Sequence, residues 1–373
     1  MFKNITLFSL QTFSTTGGIQ KMTRTMAHSL NAICTKNNWN FKLASLYDED
    51  SDLMPQYVPA QNFKGFGKQR ILFIIKTVFA AKKDDVVILS HINLALAGLL
   101  IKLRSPKTKV WLIAHGIEVW RPLSAHKKRF LTQCDKIICV SSFTKAKMET
   151  LHKTDPNKCV VLNNALDPFM KLPDNFGKSA YLMERYGLTK ANPVIFTLTR
   201  LASTELYKGH DIVIKSLPKL KHKFPLIKYI LAGKYDELEG LRVKQLIEDT
   251  GVTEQVILTG FIKEEELPDH FLTADVFVLP SKKEGFGIVF IEALACGLPV
   301  ICGNADGSID AIRNGELGTA INTDNQQELE DCITNHLKEP LTLKKRRHLK
   351  DTCLHYFNEQ TYINKLQQML IDD

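Results

Sequence analysis

The stretch VFVLPSKKEGFGIVFIEALACGLPV, residues 276–300, decides the fold. It runs from an apolar strand through a glycine-containing loop into a helix and on to a second apolar strand, with no hairpin turn. That series is one repeat of a parallel sheet covered by helices. Two acids stand eight positions apart in it, Glu284 and Glu292. Glu292 lies inside the apolar run FIEALA, where a carboxylate is costly to bury unless it is paired or bound to hydroxyls, and the two vicinal hydroxyls of a ribose would satisfy it. Glu284, in the loop, would then face the reacting end of the same ligand. Backbone N–H groups around Phe286, Gly287 and Ile288 would meet phosphate or sugar oxygens at the helix start. An exposed Glu284 with a salt-bridged Glu292 is the purely structural alternative.

Outward from this unit the same alternation fills the chain. In the first half, strands are expected at 5–10, 41–46, 86–90, 110–114, 136–140 and 159–162, with helices at 19–36, 69–81 and 142–151. The second half restarts with strands at 194–199, 228–232, 256–259, 275–279 and 299–302, and with helices after Gly209, over 240–250 and after Gly287. Each half reads as one doubly wound, Rossmann-like α/β domain. The loop-forming LDPFMKLPDNFGKS at 166–179 marks the seam between them, giving domains at 1–170 and 171–355 and a last helix over 356–373. A chain of 373 residues suits two domains. Ligands of open α/β sheets sit at the carboxyl ends of the strands, so two such domains facing each other would enclose a cleft.

With 44% hydrophobic and 24% charged residues, the chain is neither disordered nor a disulfide miniprotein. Its net charge of +9 is unevenly placed: 24 basic and 11 acidic residues in 1–170 give +13, whereas 25 and 29 in 171–373 give −4. The asymmetry asks for two different partners, one of them anionic. The eight cysteines form no CxxC and no Cys/His cluster of zinc spacing, so they read as reduced, buried thiols. MFKNITLFSL reads as a first strand and not a signal peptide, and the apolar run at 92–101 is too short to span a bilayer, so a cytoplasmic location is expected. KQRILFIIKTVFAAKK, 68–83, is apolar and flanked by Lys and Arg. It reads either as a helix lying on an anionic bilayer or as a core helix with solvated ends.

The remaining candidates lie at strand-to-helix loops. In SLQTFSTTGGIQKMTRTM, 9–26, Gly17 and Gly18 follow the first strand and precede a helix, a place where backbone N–H groups and the helix dipole favour a phosphate. A plain tight turn uses the same two glycines. His115 ends the run WLIA and is positioned to bond a sugar hydroxyl or a phosphate oxygen, while a satisfied core histidine is the ordinary alternative. Glu118 and Arg121 follow it, and His91 ends the preceding strand; these three are acceptor-side candidates. Arg200 closes the strand VIFTLT and Lys208 comes eight residues later, a guanidinium and an ammonium suited to clamp a diphosphate.

Taken together these residues resemble the retaining, nucleotide-sugar-dependent glycosyltransferases of family 4, which have the GT-B fold of two Rossmann-like domains across a cleft. The likeness covers essentially the whole chain, and its most specific element is the Glu-x7-Glu motif at Glu284 and Glu292, followed by ALACGLPVI. It implies that Glu284 contacts the donor sugar and Glu292 the ribose, that Arg200 and Lys208 hold the diphosphate, and that Gly17 and Gly18 close over it. It also implies that His115 touches the sugar, that Gly260, Phe261 and Ile262 read the nucleobase, and that the last helix crosses back to the first domain. No metal or other cofactor is implied. The chain differs from the family pattern at Thr199 before Arg200, at NNALD (163–167) in place of PNGVD, and at DGSID (306–310) in place of a GGxPE-type loop.

The expected reaction is transfer of a hexose from a UDP- or GDP-sugar to a hydroxyl of a saccharide or lipid-linked acceptor, with retention at the anomeric carbon, in surface polysaccharide or glycolipid synthesis. The basic first domain would face that acceptor and an anionic membrane surface, making the protein cytoplasmic and peripheral on the inner face of the plasma membrane. Competing readings are a nucleotide-sugar 2-epimerase or phosphorylase on the same architecture and a non-catalytic sugar- or nucleotide-binding subunit. No nucleic-acid partner is expected, since the aromatic residues show no RNA-module pattern.

Overall fold

Runs such as Val86–Leu89 and Val276–Leu279 are apolar and buried at every position because both faces of their sheets are covered by helices. A computed structural model describes residues 2–372, the side chain of Lys82 lying outside the described residues. The chain forms two units, one of residues up to Pro168 joined by those from Phe357 onward, the other of Phe169–Tyr356.

The first unit holds strands β1 (Asn4–Ser9), β2 (Asn40–Ser45), β3 (Phe63–Gly65), β4 (Val86–Leu89), β5 (Lys109–Ala114), β6 (Lys136–Cys139) and β7 (Cys159–Val161). They are ordered β3-β2-β1-β4-β5-β6-β7, and every pairing is parallel. Helices α1 (Gly18–Lys36), α2 (Arg70–Ala80), α3 (Ala95–Arg104), α4 (Ala125–Gln133) and α5 (Ser142–His152) connect them. Phe8, Phe66 and Phe73 meet edge to face in its core, and Trp111 is fully buried on β5. Each such side chain contributes about 1.5–3 kcal/mol by leaving water.

The second unit runs through α6 (Ala180–Arg185), β8 (Val194–Leu198), α7 (His210–Lys223), β9 (Lys228–Ala232), α8 (Glu237–Asp249), β10 (Val256–Gly260) and α9 (Leu267–Thr273). It continues with β11 (Val276–Leu279), α10 (Ile288–Ala295), β12 (Val300–Gly303), α11 (Ser308–Ala311), β13 (Thr319–Ile321), α12 (Gln326–Lys338) and α13 (Leu343–Phe357). The strand order β10-β9-β8-β11-β12-β13, parallel throughout, reverses direction beside β8 as in dinucleotide-binding folds. The last helix, α14 (Glu359–Ile371), belongs to the first unit, where the Glu359 carboxylate lies 2.6 Å from His28 Nδ1 and accepts from Ser29 Oγ at 2.9 Å.

Two parallel Rossmann-like domains are therefore present, as the alternation of apolar runs predicts. The differences are local. β3 and β13 are three-residue edge strands too short to show a period, and α3 lies where the sequence shows only a continuous apolar run. α8 starts at Glu237 and not at 240, because the Asp236 side chain accepts from Glu239 N at 2.8 Å and caps it. Seven of the cysteines are buried and Cys332 is half-buried; all are free thiols.

Candidate active site

In the second domain the carboxyl ends of β8, β11 and β12 bring three loops together. Gly209 stands in the left-handed region at φ 82°, and a Cβ there would lie 2.2 Å from the carbonyl oxygen of Pro280, so only glycine lets this loop approach the end of β11. That approach sets Lys208 against Glu284, with Nζ 2.6 Å from Oε1. Both side chains are largely buried. Burial disfavours the ammonium, yet the facing Glu284 carboxylate overcomes it and holds the Lys208 pKa above its ordinary value. Arg200, also expected at this end, is exposed and pairs through Nε with Glu205 Oε2 at 3.1 Å. By sequence Lys208 and Glu284 are expected on different parts of a ligand and Glu205 is not marked; the structure couples the first two and gives the third to Arg200.

The Glu284 backbone is fixed from the next loop. Its N–H donates to Asp306 Oδ2 at 2.7 Å, and its carbonyl accepts from Gly307 N at 2.8 Å. Asp306 is 1% exposed and also accepts from the amide and hydroxyl of Ser308. Burial pushes its carboxyl up to about 6 against the pull of these donors. In DGSID the first residue, Asp306, grips the motif. Glu292 is buried in α10, as its apolar neighbours require.

The side chains of three candidate residues are buried. Phe286, Ile288 and Ile262 are buried, so their side chains belong to the core and only their backbone groups can face a ligand. Gly287 caps α10 at φ 82°, and a Cβ there would meet the Phe290 ring at 2.5 Å. Phe261, by contrast, is 57% exposed beside Gly260 at the end of β10 and presents a ring on which a base can stack.

In the first domain, Gly17 and Gly18 open the nineteen-residue α1 with no side-chain cap. Neither has the left-handed backbone that demands glycine, and a Cβ on Gly18 would meet nothing within 4 Å. The fold does not require glycine at 18, whereas a Cβ at 17 would move the end of the Gln20 side chain, 2.8 Å away. Residues 10–17 are shaped from below by Asp48, fully buried, which accepts from Thr12 N (2.7 Å), Phe13 N (3.2 Å), Ser14 N (3.0 Å), Ser14 Oγ (2.5 Å) and Ser45 Oγ (2.6 Å). The sequence does not mark Asp48, because its partners at 12–14 lie 34 and more positions away and only Ser45, of those named, is near in the chain.

His115 and His91 end the adjacent strands β5 and β4. His115 is buried, its Nε2–H donates to the Ser90 carbonyl at 2.7 Å, and its N–H donates to Glu118 Oε1 at 2.6 Å. Burial lowers its pKa, so the ring is neutral. His91 Nδ1 accepts from Asn93 N at 3.0 Å, and burial brings its pKa down to about 3. Arg121 lies exposed nearby.

Two family models match the chain: "Glycosyltransferase Family 4" over residues 17–168 and "Glycosyl transferases group 1" over 182–352. A GDP-mannose-dependent α-(1-6)-phosphatidylinositol monomannoside mannosyltransferase of Mycolicibacterium smegmatis is 31% identical over 259 residues. That alignment covers 66% of this chain and 65% of the relative, so just under two thirds of the relative's length is matched. The α-D-kanosaminyltransferase of Streptomyces kanamyceticus is 28% identical over 47% of this chain and 44% of its own. Among solved structures, Anabaena HepE in complex with UDP superposes with a TM-score of 0.80 at 18% identity, covering 99% of this chain and 100% of that one. At that identity the likeness speaks for the fold alone.

Proposed function

Because the chain belongs to the family 4, group 1 glycosyltransferases, we propose that it transfers a hexose from a nucleotide sugar to an acceptor hydroxyl with retention at the anomeric carbon. The observation that carries this reading is the Lys208–Glu284 pair, gripped from Asp306 and standing eight positions before Glu292. Cleavage of the donor builds positive charge on the sugar and negative charge on the leaving diphosphate. Arg200, Lys208 and the first amides of α10 stabilise the diphosphate, supplying the charge that a metal ion supplies in other enzymes. Glu284 orients the sugar, Glu292 takes the ribose hydroxyls, and Phe261 stacks on the base. The leaving phosphate accepts the proton of the attacking hydroxyl on the same face, so Glu284 need not act as a nucleophile. His115, neutral and tied to Ser90, offers Nδ1 as an acceptor to a sugar hydroxyl.

The GDP-mannose dependence of the mycobacterial relative favours a GDP-hexose donor, and its phosphatidylinositol mannoside substrate favours a glycolipid acceptor. UDP-hexoses are the second choice, favoured by the UDP-bound structural neighbour. Slow release of free GDP or UDP from a panel of nucleotide sugars tests the reading. Hydrolysis of one GDP-hexose is expected, and no turnover of any of them overturns it.

A glycolipid acceptor calls for a membrane surface. None of the described helices is long and apolar enough to cross a bilayer. α2, however, buries only Phe73 and Thr77 and leaves Ile71 77%, Ile75 51% and Phe79 58% exposed, between the exposed Lys68, Arg70, Lys76 and Lys83. No acid occurs between Asp52 and Asp84. Such a helix rests in the headgroup region of an anionic bilayer. Replacing Ile71, Ile75 and Phe79 by Ser is expected to weaken co-sedimentation with anionic liposomes by about a hundredfold or more, while the melting temperature holds. Unchanged sedimentation removes the membrane from the proposal.

A further inference from the structure

A second charged centre lies in the first domain, at the carboxyl ends of β4 and β5, and its cations have no carboxylate. Lys127 Nζ donates to Asn93 Oδ1 at 2.5 Å, a neutral acceptor, and Asn93 N in turn donates to His91 Nδ1 at 3.0 Å. With Nδ1 accepting, the His91 proton sits on Nε2, which is a donor. Burial chiefly lowers the pKa of the Lys127 ammonium and the His91 imidazole, and Arg121 lies close enough that its charge lowers both further. Among the described residues neither Arg121 nor Lys127 forms an ion pair. Glu118, the acid of this loop, is engaged by the N–H of His115.

Lys127 also stands in the first turn of α4, whose N-cap Ser124 side chain accepts no backbone N–H and whose first turn has no acid. A cation at the positive end of a helix dipole is disfavoured, and two cations side by side repel. The fold tolerates both unfavourable placements in one spot, and one multiply charged anion would relieve them together.

We infer that Arg121, Lys127 and the Nε2–H of His91 form a binding site for a phosphate group carried by the acceptor. The guanidinium supplies a bidentate fork, the ammonium a mobile point charge and the neutral imidazole a directed donor, which together suit a tetrahedral oxyanion. This deepens the proposed function, resting on the first domain as the acceptor side, and names the acceptor class as a phosphate ester. The phosphate can belong to a soluble sugar phosphate or to a lipid headgroup, and the same chemistry serves both.

The test measures binding in the absence of any donor, using glycerol 3-phosphate against glycerol, and vesicles with and without phosphatidylinositol. The full-length wild type is compared with Arg121→Ala/Lys127→Ala and with Lys128→Ala, an exposed cation of the same helix. Loss of glycerol 3-phosphate affinity by about tenfold or more in the double variant alone assigns the site to a soluble ester. A similar loss confined to phosphatidylinositol vesicles assigns it to a headgroup. Equal binding by wild type and double variant, no binding of either probe, or an equal loss in Lys128→Ala overturns the inference. Donor hydrolysis by the wild type is scored separately: phosphate binding without it would leave this site standing while the transferase reading fell, and hydrolysis without phosphate binding would do the reverse.

Discussion

The two domains share a topology and handle charge in opposite ways. At the ligand end of the second domain every cation named here faces a carboxylate, Lys208 against Glu284 and Arg200 against Glu205. At the ligand end of the first, Arg121 and Lys127 have none, and both histidines are held neutral by burial. A paired cation is preorganised: it is already fixed before a ligand arrives, and its partner must be displaced or shared. An unpaired cation attracts from a distance and depends on the ligand for its countercharge. The acidic domain thus suits a small donor held in one geometry, and the basic domain suits an anionic acceptor or surface.

The comparison breaks first at Lys208. Its replacement by Ala leaves Glu284 in a largely buried place without a cation, and turnover of the nucleotide sugar is expected to fall about a hundredfold or more. Because the two groups act as a unit, Lys208→Ala/Glu284→Gln should lose little beyond the worse single variant. Fully additive losses in steady-state kinetics would show that they act separately.

A smaller effect concerns Asp306. Its carboxyl stands at about 6 folded against an ordinary 3.8, so the folded state holds the proton more tightly than the unfolded one. Its contribution to stability therefore declines as pH rises from about 4 to about 6 and is constant above. Asp306→Asn should flatten that part of the curve of melting temperature against pH. Asn keeps one acceptor oxygen, so it can serve the Glu284 amide or the Ser308 donors but not both, and it should also raise the donor KM several-fold more than kcat falls. An unaltered slope would mean that Asp306 does not carry the buried proton.

The smallest change is at Gly18. With room for a Cβ and no left-handed backbone, Gly18→Ala should leave stability unchanged or raise it by about 0.5–1 kcal/mol. A loss of donor turnover without a loss of stability would place a ligand against this residue, and full activity would return the two glycines to a plain turn.

The sequence shows the parallel sheets because buried strands such as VVIL and VFVL are apolar at every position and regularly spaced. It hides β3 and β13, which as short edge strands carry no period. Glu284 and Glu292 are legible because a helix and its leading loop hold them at a fixed spacing. Asp306 and Lys127 are not, since each acquires its partner through tertiary contact between loops, and Glu205 and Asp48 are not, since no regular period marks the bends that bring Arg200 and residues 12–14 to them. Ile262 shows the converse: the resemblance implies a contact with the base, while burial turns its side chain to the core.

Asp48 gathers donors from residues 12–14 and from Ser45 on β2, which makes the glycine loop one rigid part with an anchor far off in the chain. Anyone transplanting donor preference between relatives by exchanging residues 10–17 would carry over the visible loop and leave its foundation behind. A chimera built that way should keep its shape only if the recipient already holds an acid at position 48 and a small hydroxyl at 45. The unit of exchange is therefore the loop together with the end of β2 that supports it.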